Sequence, residues 1–269
     1  MLPTLTIGSW QISTYGVFFT LAVVVSGIYA FERLRRLGYP PSVVLRGLML
    51  MTLGGAVSTF LAYWILHQYH LAHDELLGPQ ESTDVFWTLF GGAIVALPYI
   101  RRHKAPLGRT LDLGVPALAL ALAIGRLGCI SAGCCYGIRT TSALGLYLPD
   151  DQGVWAMRYP TQLLALIANL LIFFTLLAVE RYGERRQGQR TEGKTWPFNG
   201  FLVLLFILLY SLKRFILAFM RQEGTIHLLG PLSWMHLNAL VAGSAAAVLI
   251  VWNISRRKER REWRKEERR

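Results

Sequence analysis

Residues 111–130 read LDLGVPALALALAIGRLGCI. This predominantly apolar run is as long as the roughly 20 residues a helix needs to cross the hydrocarbon core of a bilayer. Six more such runs lie outward from it, near 15–31, 43–66, 85–100, 160–179, 199–220 and 233–254. The run at 85–100 is short and suits a tilted or partly re-entrant segment. None alternates as a barrel strand does, and helices satisfy every backbone N–H and C=O where there is no water. With 53% hydrophobic residues, 16% charged and a mean hydropathy of +0.38, the 269-residue chain is not composed like a soluble domain. The sequence therefore predicts an all-α, polytopic integral membrane protein of about seven transmembrane helices over residues 1–254, followed by a basic tail, 255–269. No internal repeat or second domain is evident.

Charge in the connectors predicts an orientation, because Lys and Arg favour the cytoplasmic side. The first connector carries Arg33, Arg35 and Arg36, the third Arg101, Arg102, Lys104 and Arg109, and the fifth Arg181, Arg185, Arg186, Arg190 and Lys194. The tail SRRKERREWRKEERR adds nine basic residues, whereas HQYHLAHDELLGPQESTD, the second connector, has none and is acidic. The N-terminus is expected outside and the C-terminus in the cytoplasm. MLPTLTIGSWQISTYG has neither a basic leading segment nor a small-residue cleavage site, so the first helix is expected to be retained. The net charge of +12 then belongs beside the membrane, where each basic residue contributes roughly 1 kcal/mol against an anionic leaflet. Nucleic acid is not an expected partner of a mixed Arg/Glu tail.

Several polar residues fall on the predicted outer side. Tyr15 lies at the outer end of the first helix, GRLGC at that of the fourth, Arg158 just before the fifth and Arg221 at the outer end of the sixth. Arg214 lies two turns deeper than Arg221, roughly 10 Å at 1.5 Å per residue. An arginine within a membrane costs about 3 kcal/mol on insertion scales, so it usually faces the bundle interior and meets an anion. The spans hold almost no carboxylates. Arg126 and Arg214 thus point to an external anion such as a phospholipid phosphate, which a guanidinium grips with two parallel hydrogen bonds; snorkelling to water or bonding to carbonyls is the plainer alternative. Gly125, Gly128, Gly133 and Gly137 would allow close approach of backbone or headgroup, and Gly91 with Gly92 would let the third helix press against the site.

All three cysteines of the chain, Cys129, Cys134 and Cys135, lie in GRLGCISAGCCYG, residues 125–137. A redox reading would join Cys129 to Cys134 or Cys135, since adjacent cysteines bridge only with strain. A zinc site normally has four ligands, so no metal is expected here, and no cofactor. The triplet His67, His70 and His73 suits a polar interfacial loop better than a metal site.

These residues resemble the bacterial prolipoprotein diacylglyceryl transferase family. The likeness runs from near Ile7 to about residue 250 through TIGSWQISTYG, the glycine pair, RRHKAPLGRTLDLGVP, GRLG, RYPTQL and YSLKRFILAFMRQ. It implies an enzyme of the bacterial inner membrane, its site facing the periplasmic side. Such an enzyme moves a diacylglyceryl group from phosphatidylglycerol to a cysteine thiol of a lipoprotein precursor and releases glycerol phosphate. By position, Arg126 is similar to the phospholipid-binding arginine of the family, Arg214 to an essential arginine of the sixth helix, and Tyr15, Tyr210 and Arg221 to further site residues. Phe90 stands where the family has histidine, Cys129 where it has asparagine, and Cys134 and Ala218 where it has glutamates. The anion-gripping half is kept and the acid/base half is replaced.

Two residues are then candidates for the base. Cys129 lies one turn beyond Arg126, whose charge favours a thiolate, and His236 is near the outer end of the seventh helix. Alkylating an enzyme cysteine would give a thioether, a dead end, so a cysteine nucleophile would imply acyl transfer through a thioester. A paralogue acting on another acceptor, and a non-catalytic lipid-binding or thiol-redox membrane protein, are the alternatives.

Overall fold

A computed structural model describes residues 4–7, 10–72, 83–150, 153–187, 196–221, 227–229 and 232–267. His73 lies outside them, as do the side chains of His67 and His70. Seven α-helices follow one another: α1 (Thr14–Leu34), α2 (Pro41–Ala72), α3 (Thr83–Arg102), α4 (Leu107–Ala132), α5 (Thr161–Gln187), α6 (Phe201–Ala218) and α7 (Trp234–Glu266). Six of them are long and apolar enough to cross a membrane, and the exception among the described residues is α3, the short run of the sequence. The protein is an all-α, multi-pass membrane protein. Its outward surface carries Phe19, Ile28, Phe60, Trp64, Phe174 and Val248 exposed, a density of apolar side chains that suits lipid and not water.

The bundle is organised around α4, which packs against α1, α5 and α6. Val115 and Ala119 of α4 meet Ile172 and Leu176 of α5 and Leu202 and Phe206 of α6 in the buried core. Two polar fixtures lock this end of the bundle. Asp112, with no exposed surface, accepts the backbone N–H groups of Gly200 at 2.6 Å and Val203 at 3.2 Å. A carboxylate of α4 thereby satisfies orphan donors and faces the positive end of the α6 dipole. Arg33 of α1 pairs with Glu180 of α5 at 2.7 Å and donates from Nε to the Leu113 carbonyl at 2.8 Å. Both side chains of this ion pair are 5% exposed, so Arg33, expected in a connector, is a buried tie between three helices.

Helices α2 and α3 pack chiefly on one another, as do α6 and α7. The glycine pair of α3 serves the first of these contacts. A Cβ at Gly92 would lie 3.0 Å from the Met51 carbonyl of α2, and one at Gly91 would collide with Ser58. Gly91 and Gly92 therefore press α3 onto α2, and not onto the outer-face cluster for which the sequence suggested them.

Short hairpins that periodicity does not reveal decorate the helix ends. Strands β1 (Thr4–Ile7) and β2 (Trp10–Ser13) precede α1; β3 (Leu146–Pro149) and β4 (Trp155–Arg158) precede α5; β5 (His227–Leu229) and β6 (Leu232–Ser233) precede α7. At its far end α7 is tied back by Arg257, which donates to the Pro197 carbonyl, while Arg256 covers the Trp252 ring at 4.0 Å. The helix runs on past residue 254 to Glu266.

Candidate functional site

α4 carries Arg126 near its C-terminal end, and α6 carries Lys213 and Arg214, with Arg221 just past its end. These four cations line one cavity, completed by Ala165 of α5, Leu217, Ala218 and Met235. About 10 Å³ of it is open to a water-sized group, and the cavity faces the surroundings on one side. Among the described residues no acidic side chain lines it. Three of the arginines expected on this face thus converge, and Ala218 contributes a wall where a carboxylate would have neutralised the charge.

Lys213 is the residue the sequence reading passed over. Buried next to Arg214, it donates from Nζ to Asn169 Oδ1 of α5 at 2.9 Å, and its ammonium sits 3.7 Å from the Tyr210 ring centroid. Asn169 in turn donates to the Leu122 carbonyl of α4 at 2.9 Å. Both ends of one amide are used, so three helices fix the height of a single cation. Tyr210, expected to touch substrate, acts here as an aromatic floor beneath Lys213.

The cysteine loop follows directly. α4 ends at Gly133, whose φ of 78° is the left-handed conformation of a helix C-cap, and whose N–H bonds the Cys129 carbonyl at 3.0 Å. Cys135 is also left-handed, at φ 58°. Two side chains at the start of α5 hold this turn: Thr161 donates to the Cys135 carbonyl at 2.5 Å and Gln162 to the Cys134 carbonyl at 2.7 Å. RYPTQL is thereby explained as a clamp. The sulfurs of Cys129, Cys134 and Cys135 consequently gather within 4.8 Å of one another. Cys135 Sγ lies 3.9 Å from Cys129 Sγ, which also accepts from Arg126 Nη1 at 3.9 Å. Beyond the helix end, the Cys134 thiol is held above the usual thiol range by its hydrogen bonds to Cys129 and Cys135 and by burial. All three cysteines are free thiols.

Gly137 couples this turn to Arg221. Its backbone bridges to Arg221, and a Cβ there would lie 2.6 Å from the carbonyls of both Met220 and Tyr159. No side chain fits. Gly128 meets Tyr15 and Phe18 of α1, where a Cβ would stand 3.2 Å from each; this brings Tyr15 alongside the cysteine-bearing end of α4. Gly125 faces open space.

Arg158 and His236 sit apart from the cavity lining. Arg158, 2% exposed, pairs with Asp150 at 2.7 Å across the β3–β4 hairpin and lies over the Tyr136 ring at 4.9 Å. His236 accepts the Ser233 N–H at Nδ1 over 3.1 Å, closing the first turn of α7, and its ring packs 4.2 Å from that of Phe219. Phe90 is exposed on α3 and stacks edge-on with Trp87.

A family model described as prolipoprotein diacylglyceryl transferase matches residues 3–252. A phosphatidylglycerol–prolipoprotein diacylglyceryl transferase 2 of Clostridium perfringens is 27% identical over 259 residues, covering 94% of each chain. A phosphatidylglycerol–prolipoprotein diacylglyceryl transferase of Dehalococcoides mccartyi is 28% identical over 261 residues, again with 94% of each covered. One of Chlorobaculum tepidum is 35% identical over 134 residues, half of this chain and 42% of its own.

Proposed function

This chain belongs to the prolipoprotein diacylglyceryl transferase family, and from that premise we propose that it transfers the diacylglyceryl group of phosphatidylglycerol to a cysteine thiol of a lipoprotein precursor. The observation that carries the reading is the convergence of Arg126, Lys213, Arg214 and Arg221 on one cavity, drawn from α4, α6 and the segment just past α6. Guanidinium groups gathered in a low-dielectric wall repel one another, and an entering anion relieves that repulsion. A phosphodiester headgroup supplies that anion, and Leu217 and Met235 of the same lining offer apolar surface to acyl chains.

In the reaction the acceptor thiolate attacks the glycerol carbon that bears the phosphate ester. The C–O bond breaks, the electron pair leaves with glycerol phosphate, and a C–S bond forms. Arg126 and Arg214 hold the phosphate oxygens as their charge grows, a contribution that strengthens toward the transition state. Arg221 and Lys213 complete the anionic grip, and Tyr15 packs beside Gly128 at the cysteine-bearing end of α4. The thiol proton needs a base. Cys129 and His236 are the two candidates: the Arg126 guanidinium favours the Cys129 thiolate while lowering its basicity, and His236 has its Nδ1 engaged in capping α7.

The site lies toward the periplasmic side of the bacterial inner membrane in this reading, with the N-terminus outside, the C-terminus in the cytoplasm, and 255–269 a basic cytoplasmic extension of α7 from the 1–254 transmembrane unit. The alternating connector charges support that sidedness.

Incubating the purified protein with phosphatidylglycerol labelled in its acyl chains and a precursor peptide tests the proposal. A peptide carrying the label in a stable thioether, with glycerol phosphate released, is the expected product. A labile acyl adduct on Cys129 would instead establish acyl transfer through a thioester, the second reading that its contact with Arg126 favours.

A further inference from the structure

Three sulfur atoms within 4.8 Å of one another are not needed by a reaction that uses at most one thiol. We propose that Cys129, Cys134 and Cys135 form a three-sulfur site for a thiophilic d¹⁰ metal ion of the Zn(II), Cu(I) or Cd(II) kind. Metal–sulfur bonds of about 2.3 Å place the ligands of a trigonal or tetrahedral ion about 3.8–4.0 Å apart. The Cys129 and Cys135 sulfurs already stand 3.9 Å apart. Little rearrangement is required to seat an ion between them.

The loop is built for this arrangement. Cys129 projects from the last turn of α4, while the Gly133 cap and the left-handed Cys135 fold the chain back over it. Thr161 and Gln162 fasten the carbonyls of Cys135 and Cys134. With both carbonyls fastened, the turn is fixed in the form that keeps the thiols of Cys134 and Cys135 beside that of Cys129. A ligand set organised before the ion arrives loses less entropy on binding.

Charge supports the same reading. Three thiolates around a divalent ion carry a net charge of −1, and around a monovalent ion −2. Arg126 Nη1 lies 3.9 Å from Cys129 Sγ and compensates the excess. Soft thiolate ligands select Zn(II) and Cu(I) over Mg(II) or Ca(II). Among the described residues no histidine or carboxylate joins the group, so a fourth coordination position stays open to water or an exogenous ligand. The site shares Cys129 and Arg126 with the transfer reaction proposed above, but its occupancy is readable without any activity measurement.

The experiment titrates Cd(II) into the reduced, chelator-stripped full chain in detergent and follows the sulfur-to-cadmium charge-transfer absorption. The chain has three cysteines in all, so every such band arises from them. One ion per chain is expected, with the amplitude of three Cd–S bonds, displaced by Zn(II). Cys135→Ser and Cys134→Ser should each lower the amplitude by a third and weaken binding at least tenfold. The absence of a band, more than one ion per chain, or fewer than three sulfurs per ion would overturn the proposal. The wild-type amplitude alone decides this, even where a variant does not fold.

Discussion

Lys213 of α6 and Asn169 of α5 are joined by a 2.9 Å hydrogen bond from ammonium to amide oxygen, inside the wall of the cationic cavity. Removing the amide leaves a buried cation short of a partner, at a cost of about 1.5–3 kcal/mol. Asn169→Leu should lower thermal stability in detergent and raise the KM for phosphatidylglycerol. Lys213→Met in the same background should recover stability without restoring KM, and a double-mutant cycle measures the coupling.

Arg126 and Arg214 approach the cavity from different helices, so each should be separately required. Arg126→Ala and Arg214→Ala are expected to reduce kcat/KM by 10²-fold or more, the scale of losing about 3 kcal/mol of charge stabilisation. Arg126→Lys should recover only a fraction, because an ammonium cannot make the bidentate contact. Binding of phosphatidylglycerol vesicles to the inactive variants separates headgroup grip from chemistry.

Arg158 is buried against Asp150, so its loss should act on folding. Arg158→Gln is expected to destabilise the β3–β4 hairpin by about 3 kcal/mol, the cost of leaving one member of a buried pair alone. Its KM should stay near that of the parent. Arg221→Gln should do the reverse, and unfolding midpoints beside steady-state kinetics distinguish the two.

Asp112 holds the first turn of α6. Asp112→Ala should cost about 1–3 kcal/mol through the loss of charged acceptors for Gly200 and Val203. Since α6 carries two of the four cavity cations, Lys213 and Arg214, and leads into a third, Arg221, activity should fall more than the midpoint of unfolding alone implies. Asp112→Asn keeps an acceptor oxygen and should be milder.

The spanning helices were legible because crossing a bilayer demands long uninterrupted apolar runs, and these leave little ambiguity. The convergence of Arg126, Arg214 and Arg221 followed from the cost of placing guanidinium groups in lipid. Lys213 escaped because its neighbour Arg214 carried the more specific resemblance, although a second cation in the same span was itself a signal. The roles of Thr161 and Gln162 depend on a turn whose geometry hinges on a left-handed Cys135, a conformation that no pattern of residue types announces. Gly91 and Gly92 show a similar limit: a glycine pair predicts close packing but not the partner helix. Arg33 looked like a connector charge until Glu180, 147 positions away, was seen to face it.

Unbroken from Trp234 to Glu266, α7 has 33 residues and extends about 50 Å at 1.5 Å per residue, against roughly 30 Å of hydrocarbon. Some 20 Å of rigid rod therefore protrudes beyond the lipid acyl region, steadied at its exit by Arg257 on Pro197. Any reporter fused to this end rides on a stiff mast, so its distance from the bilayer surface is set by helix geometry and not by a slack leash.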